Sequence, residues 1–265
     1  MHKRDIVAES AHPAKDRPRP ESEKDFGAAT HPLRQAEFAL GVADDSQLPP
    51  PGPPEIAFAG RSNAGKSSAI NVLANRSRLA FVSKTPGRTQ QINFFRLRSG
   101  ALLADLPGYG YAAVPLALKR HWQDFLGRYV ATRQALIGLV LIVDARHGLA
   151  ASDRDLLAGF LLSGRPVLIL ASKMDKLSTL AQTRAASDIV RSIAAEFPPH
   201  AAQVAVIAFS VPRRIGIEAA EAVLADWLGL DRSLRPSPGY ARRLPKEKAP
   251  RSRGVPRGPK RPSQD

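Results

Sequence analysis

The chain has no cysteine, which rules out a disulfide framework, a thiolate metal site and a cysteine nucleophile. It also lacks a long hydrophobic run. The longest, Ala135 to Val143, is too short to span a bilayer. The opening Met1-His2-Lys3-Arg4-Asp5 leads into no apolar stretch of the kind a secretory signal needs. The six histidines are scattered and show no metal-ligand spacing. Large apolar side chains are scarce at both ends, so only the middle of the 265 residues reads as globular. These absences predict a cytoplasmic protein with one folded domain and no membrane span.

Residues 1–30 set six Lys/Arg against six Asp/Glu among several prolines, and are expected to be a disordered extension. Residues 232–265 carry eleven Lys/Arg, two acidic residues and seven prolines, a net +9, and are expected to be a disordered tail. Most of the formal +15 therefore sits in that tail, and residues 31–231 keep a mild +6.

Within 31–231 strands and helices alternate. Glu37 to Val42 reads as either an edge strand or a short amphipathic turn, and Pro49 to Pro54 as a stiff lead-in. Strands are predicted at Glu55–Ala59, Ile92–Leu97, Ala101–Ala104, Ile137–Val143, Pro166–Ala171 and Val204–Phe209. Helices are predicted at Lys66–Asn75, Leu116–Ala135, Ser152–Leu162, Ser178–Phe197 and Ile215–Leu228, with Trp122, Phe125, Leu126 and Tyr129 on the core face of the second. Such alternation predicts an α/β fold with a doubly wound, mostly parallel sheet, whose ligands sit at the carboxyl ends of the strands.

Five stretches lie just after those strands or in the long loop between them. Gly60-Arg61-Ser62-Asn63-Ala64-Gly65-Lys66-Ser67 fits G-x-x-x-x-G-K-[ST] between a strand and a helix, the phosphate-cradling P-loop. Lys66 is then expected to reach the β- and γ-phosphates and the Ser67 hydroxyl to ligate Mg²⁺. Asp105-Leu106-Pro107-Gly108 offers a carboxylate for hydrated Mg²⁺ and a Gly108 N–H for a γ-phosphate, although an Asp-Pro-Gly turn alone would look the same. Ser172-Lys173-Met174-Asp175 offers a carboxylate that can accept from N1–H and the N2 amine of guanine; the alternative is a solvated charged turn. Adenine has neither donor, which disfavours an ATPase. Phe209-Ser210-Val211 adds a backbone N–H for the guanine O6. The 16-residue loop from Arg76 to Gln91 contains Thr85 and Thr89, one of which would complete the Mg²⁺ shell unless both are ordinary turn residues.

Together, Gly60 to Ser67, Thr85-Pro86-Gly87-Arg88-Thr89-Gln90, Asp105 to Ala112 and Ser172 to Asp175 resemble the EngB (YihA/YsxC) GTPases of the TrmE-Era-EngA-YihA-Septin-like superfamily. The resemblance covers about residues 31–230. It implies a Ras-like G domain with a seven-stranded sheet, and Mg²⁺ held by Ser67 and Thr89 while Gly87, Arg88, Thr89, Gln90 and Gln91 close over the phosphates. It implies a switch in large ribosomal subunit assembly, needed for normal cell division and septation, and acting as a monomer. A nucleotide-gated interaction protein at the division site, with incidental hydrolysis, is the alternative. Two residues depart from the pattern: Ser172 stands where GTPases usually have Asn, and Val211 replaces a small residue.

Lys66, Thr89, Gly108 and Asn63 are the expected catalytic residues. Ras-type enzymes place a water-orienting glutamine after the glycine of the second motif, but here Tyr109 follows Gly108, so slow intrinsic hydrolysis is expected. The basic tail suits ribosomal RNA or a large-subunit precursor through phosphate contacts, or else solubilises the chain. Related GTPases with Asn at the position of Asn63 bind K⁺ there; the other reading is that Asn63 only caps the turn. If the K⁺ reading is right, K⁺ accelerates GTP hydrolysis, Na⁺ does not, and Asn63→Ala removes the difference. Equal wild-type rates in the two salts would contradict it.

Overall fold

The computed structural model describes residue 33 and residues 35–80, 91–109, 116–230 and 242–243, with side chains in the helix that begins at residue 116 described from Asp124 onward. Among these residues the strands are β1 Glu37–Val42, β2 Glu55–Gly60, β3 Ile92–Arg96, β4 Leu102–Asp105, β5 Leu136–Asp144, β6 Val167–Ser172, β7 Val204–Ala208 and β8 Arg242–Arg243. The helices are α1 Lys66–Leu73, α2 Leu116–Thr132, α3 Ala151–Leu161, α4 Thr179–Glu196 and α5 Ile217–Trp227. All eight strands join one sheet in the order β1-β3-β4-β2-β5-β6-β7-β8. The central run from β4 to β7 is parallel. β1, β3 and β8 are antiparallel to their neighbours.

Alternation along the strands explains why helices cover both faces. Ala57, Ala59, Leu139, Leu141, Val143, Val167 and Ile169 turn to one side, where they pack with Phe125 and Tyr129 of α2, Leu157 and Phe160 of α3, and Ile189 and Ile193 of α4. Ile56, Phe58, Val140, Ile142, Leu168 and Leu170 turn to the other, against Ile70 and Leu73 of α1 and Leu224 of α5. Strands apolar on both faces can lie only between two such layers. Because the central strands are parallel, β2, β4, β5, β6 and β7 all end at one edge. β2 sits between β4 and β5, where the order of winding reverses, and the crevice there is where such sheets bind ligands.

The mostly parallel α/β sheet matches expectation, and Glu37–Val42 proves to be an edge strand. Of the predicted helical stripe, Phe125 and Tyr129 are fully buried and Leu126 packs at the margin, while the side chain of Trp122 lies outside the described residues. The seven strands implied by the resemblance are joined by an eighth, because Arg242–Arg243, inside the tail expected to be disordered, pairs with Val206 and Ala205 of β7. The rest of 231–265, and all of 1–30, lies outside the described residues.

At the opposite edge of the sheet Glu55, only 1% exposed, begins β2. Its carboxylate accepts from Tyr129 Oη at 2.8 Å and from Arg133 Nε at 3.0 Å, and Arg133 Nη1 donates to the Pro49 carbonyl at 2.8 Å. Burial, and then the neighbouring Glu55 carboxylate, holds the Tyr129 hydroxyl well above the ordinary tyrosine range, so it serves here as a donor. The cluster pins the C-terminal end of α2 and the proline lead-in to the start of β2. A buried carboxylate stripped of its cation is costly, so Arg133→Met should lower the unfolding free energy by about 3–5 kcal/mol in urea titrations. A loss under about 1 kcal/mol would show that the cluster contributes little.

Candidate functional site

The carboxyl edge of the sheet gathers residues 60–67, 105–109, 172–175 and 209–211 into one cleft. The P-loop turns at Asn63 (φ 65) and Gly65 (φ 105), both left-handed. Gly65 is the N-cap of α1 and supplies that conformation without the steric penalty a side chain would carry. Ala64 N donates to the Arg61 carbonyl at 3.0 Å, which closes the turn. Lys66, at the first position of α1, lies in the cleft with its ammonium on the Asp105 carboxylate of β4.

The residues after β4 are packed directly onto the P-loop. Leu106 N donates to the Phe58 carbonyl at 2.9 Å, and Ser62 N donates to the Tyr109 carbonyl at 2.9 Å. A Cβ on Gly108 would stand 3.1 Å from Ser62 Oγ and 3.3 Å from Ser62 Cα, so the small residue is what permits this approach. The Tyr109 hydroxyl turns away to α3 and donates to Asp153 Oδ1 at 2.7 Å. Burial, followed by the Asp153 carboxylate, holds that hydroxyl far above the ordinary tyrosine range, so Tyr109 is no proton source or base at neutral pH.

The stretch after β6 grips the P-loop from the other side. Ser172, 4% exposed, donates from Oγ to the Ala64 carbonyl at 2.6 Å. Lys173 (φ 59) donates from Nζ to the Asn63 carbonyl at 2.5 Å and pairs with Asp144 Oδ2 at 3.0 Å. The side chain at position 172 therefore ties the two loops together. Met174 is buried and its N–H donates to the Phe209 carbonyl at 3.2 Å. Asp175 accepts from Ser210 Oγ at 2.8 Å. That hydrogen bond, more than the nearby Lys176, holds its carboxyl below the usual carboxylate range. Asp175 is thus ionised near neutral pH, as a double acceptor must be. Val211 packs partly buried against the α1/α5 side of the core, while Phe209 and Ser210 are buried.

The structure therefore brings together Gly60 to Ser67, Asp105 to Gly108, Ser172 to Asp175 and Phe209 to Val211. Gln91 lies exposed just before β3, and Gly87, Arg88, Thr89 and Gln90 fall outside the described residues. The sequence reading missed Asp144, Arg146 and Asp153. Asp144 was findable by the rule that exposed the other motifs, since it directly follows the apolar run of β5. A cavity of about 240 Å³ opens beside the P-loop, lined by Arg61, Ser62, Asn63, Asp144, Arg146 and Lys173 among others.

The family described as "50S ribosome-binding GTPase" matches residues 55–173. The chain is 53% identical over 198 residues to "Probable GTP-binding protein EngB" of Aromatoleum aromaticum, covering 75% of this chain and 90% of the relative. It is 53% identical over 197 residues to the protein of the same description in Azoarcus sp., covering 74% and 92%. Among solved structures, that of a probable GTP-binding protein engB aligns with a TM-score of 0.50 at 18% identity, over 66% of this chain and 98% of that one. Era in complex with MgGDPNP and a segment of 16S ribosomal RNA aligns with a TM-score of 0.52 at 17% identity, over 72% and 62%. At those identities the two structures bear on the fold, and they agree with a P-loop, Ras-like G domain. Sharing more than half of its aligned residues across nine-tenths of its relatives, the chain belongs to the EngB family of GTP-binding proteins.

Proposed function

We propose that this chain is a Mg²⁺-dependent GTPase switch that docks on precursors of the large ribosomal subunit, with slow intrinsic hydrolysis and RNA contact through its basic tail. The observation that carries the reading is the pairing of a P-loop cleft holding a poised Asp175 with a tail of net +9. The family description, 50S ribosome-binding GTPase, supports the same partner. The Era structure that holds both a guanine nucleotide with Mg²⁺ and ribosomal RNA supports the pairing of a G domain with RNA.

In this reading the N–H groups of Asn63 and of Gly65 to Ser67, at the start of α1, receive the phosphates. Lys66 meets the β- and γ-phosphates, and Asp175 takes N1–H and the N2 amine of guanine, with Lys173, Met174 and Phe209 to Val211 shaping the rest of the base seat. The Ser67 hydroxyl and the Asp105 carboxylate are hard oxygen donors that fit Mg²⁺, which is bound through few protein groups and substrate phosphates. Mg²⁺ there neutralises charge developing on the phosphates. A triphosphate at Lys66 would compete with Asp105 for the ammonium, and the freed carboxylate would be available to hold Mg²⁺ through its water shell. With its hydroxyl committed to Asp153, Tyr109 does not stand in for a water-orienting glutamine, and a partner accelerates hydrolysis. The role in normal cell division and septation is the one the family resemblance implies, and the cytoplasm is where such precursors are met.

Co-sedimentation with isolated ribosomal subunits in GTP and in GDP tests this. The full chain should pellet with large-subunit particles several-fold more in GTP. Truncation after Leu244, which keeps β8, should weaken that association and flatten its salt dependence while GTP affinity is unchanged. Equal pelleting in the two nucleotides, or recruitment to the division site without ribosomal association, would favour the interaction-protein reading.

A further inference from the structure

Asp144 closes β5, directly beside Ser172 at the end of β6. Ala145 N donates to the Ser172 carbonyl at 3.0 Å, so the loop after β5 is stitched to the loop that carries Lys173 and Asp175. The Asp144 carboxylate is shared. Oδ1 accepts from Arg146 N at 3.1 Å and Nε at 3.0 Å, while Oδ2 accepts from Arg146 Nη2 at 2.7 Å and pairs with Lys173 Nζ at 3.0 Å. Side-chain exposure is 13% for Asp144, 29% for Lys173 and 41% for Arg146, so the carboxylate is the most sheltered member of the group.

Lys173 is held at its ammonium between two groups, Asp144 Oδ2 and the Asn63 carbonyl. Both backbone positions it joins are left-handed and non-glycine, Asn63 at φ 65 and Lys173 at φ 59. Residues rest in that region only when surrounding contacts over-determine them. The lysine head is the contact these two strained turns have in common, and Asp144 fixes where that head sits. The neighbouring tie from Ser172 Oγ to the Ala64 carbonyl fixes the next residue of the same turn.

We propose that Asp144 is a positioning residue of the nucleotide site, acting through Lys173 to hold the P-loop at Asn63 and so to set how long a bound guanine nucleotide is retained. It rests on the nucleotide seat described above. Asp144 touches neither phosphate nor base in this reading. Its influence passes along one lysine to the turn whose N–H groups face the phosphates. The competing account is that Asp144 only braces its own loop through Arg146.

Release of a fluorescent methylanthraniloyl-GDP from the full chain, chased with excess GDP, separates the two. Asp144→Asn is nearly isosteric and should speed release about tenfold, with Lys173→Met giving an equal or larger effect. The double variant should release no faster than Lys173→Met alone, since the two residues act in series. Arg146→Met, which removes the guanidinium part of the loop brace and leaves the lysine contact, should stay within about twofold of wild type. The preference for guanine over xanthine nucleotides and the melting temperature of the nucleotide-free protein should not move with Asp144→Asn. Unchanged release, additive effects, an equal effect from Arg146→Met, or a matching drop in that melting temperature would each overturn the proposal. A wild-type chain unable to retain the labelled GDP would refute the nucleotide seat instead.

Discussion

The cleft depends first on the ion pair between Lys66 and Asp105, at 11% and 8% side-chain exposure. Charges that far from water are tolerated only when paired, and each side chain reaches the other because β2 and β4 are parallel neighbours ending at the same edge. The pair couples the start of α1 to the stretch that carries Gly108 and Tyr109. Whatever draws on the ammonium is therefore felt by the strand that leads into Gly108. Sheet order, the close approach of Gly108 to Ser62 and the turn of Tyr109 toward α3 all serve to keep those two groups within reach.

A second layer of contacts holds the P-loop from the β6 side. Ser172 and Lys173 take the carbonyls of Ala64 and Asn63 in succession, while Ser210 orients Asp175. The P-loop and the stretch after β6 are thus one hydrogen-bonded unit, although they lie more than a hundred residues apart in the chain.

Much of this was legible before the structure. The P-loop could be recognised because its glycines and lysine answer to a local backbone requirement, and the parallel sheet because strands such as Leu136–Asp144 must be apolar on both faces. The chemistry of guanine singled out the Asp175 carboxylate in the sequence, and the structure sets it against Ser210. What could not be read was who holds whom. The bond from Ser172 to Ala64 and that from Lys173 to Asn63 span 108 and 110 positions, and neither residue type announces such a partner. Glu55 and Arg133, paired across 78 positions at the far edge of the sheet, were invisible for the same reason. Arg242–Arg243 was read as part of a disordered basic tail, because pairing of a two-residue strand is decided by the free edge of β7 and not by composition.

The central claim is that this cleft is built for guanine, with Asp175 as the group that reads it. Titrating the wild-type chain and Asp175→Asn with GTP and with XTP tests it most directly, since xanthine carries a carbonyl where guanine carries its N2 amine. Wild type should prefer GTP, and Asp175→Asn should weaken GTP binding by about a hundredfold or more while strengthening XTP binding. Equal GTP affinity in the two proteins would contradict the claim.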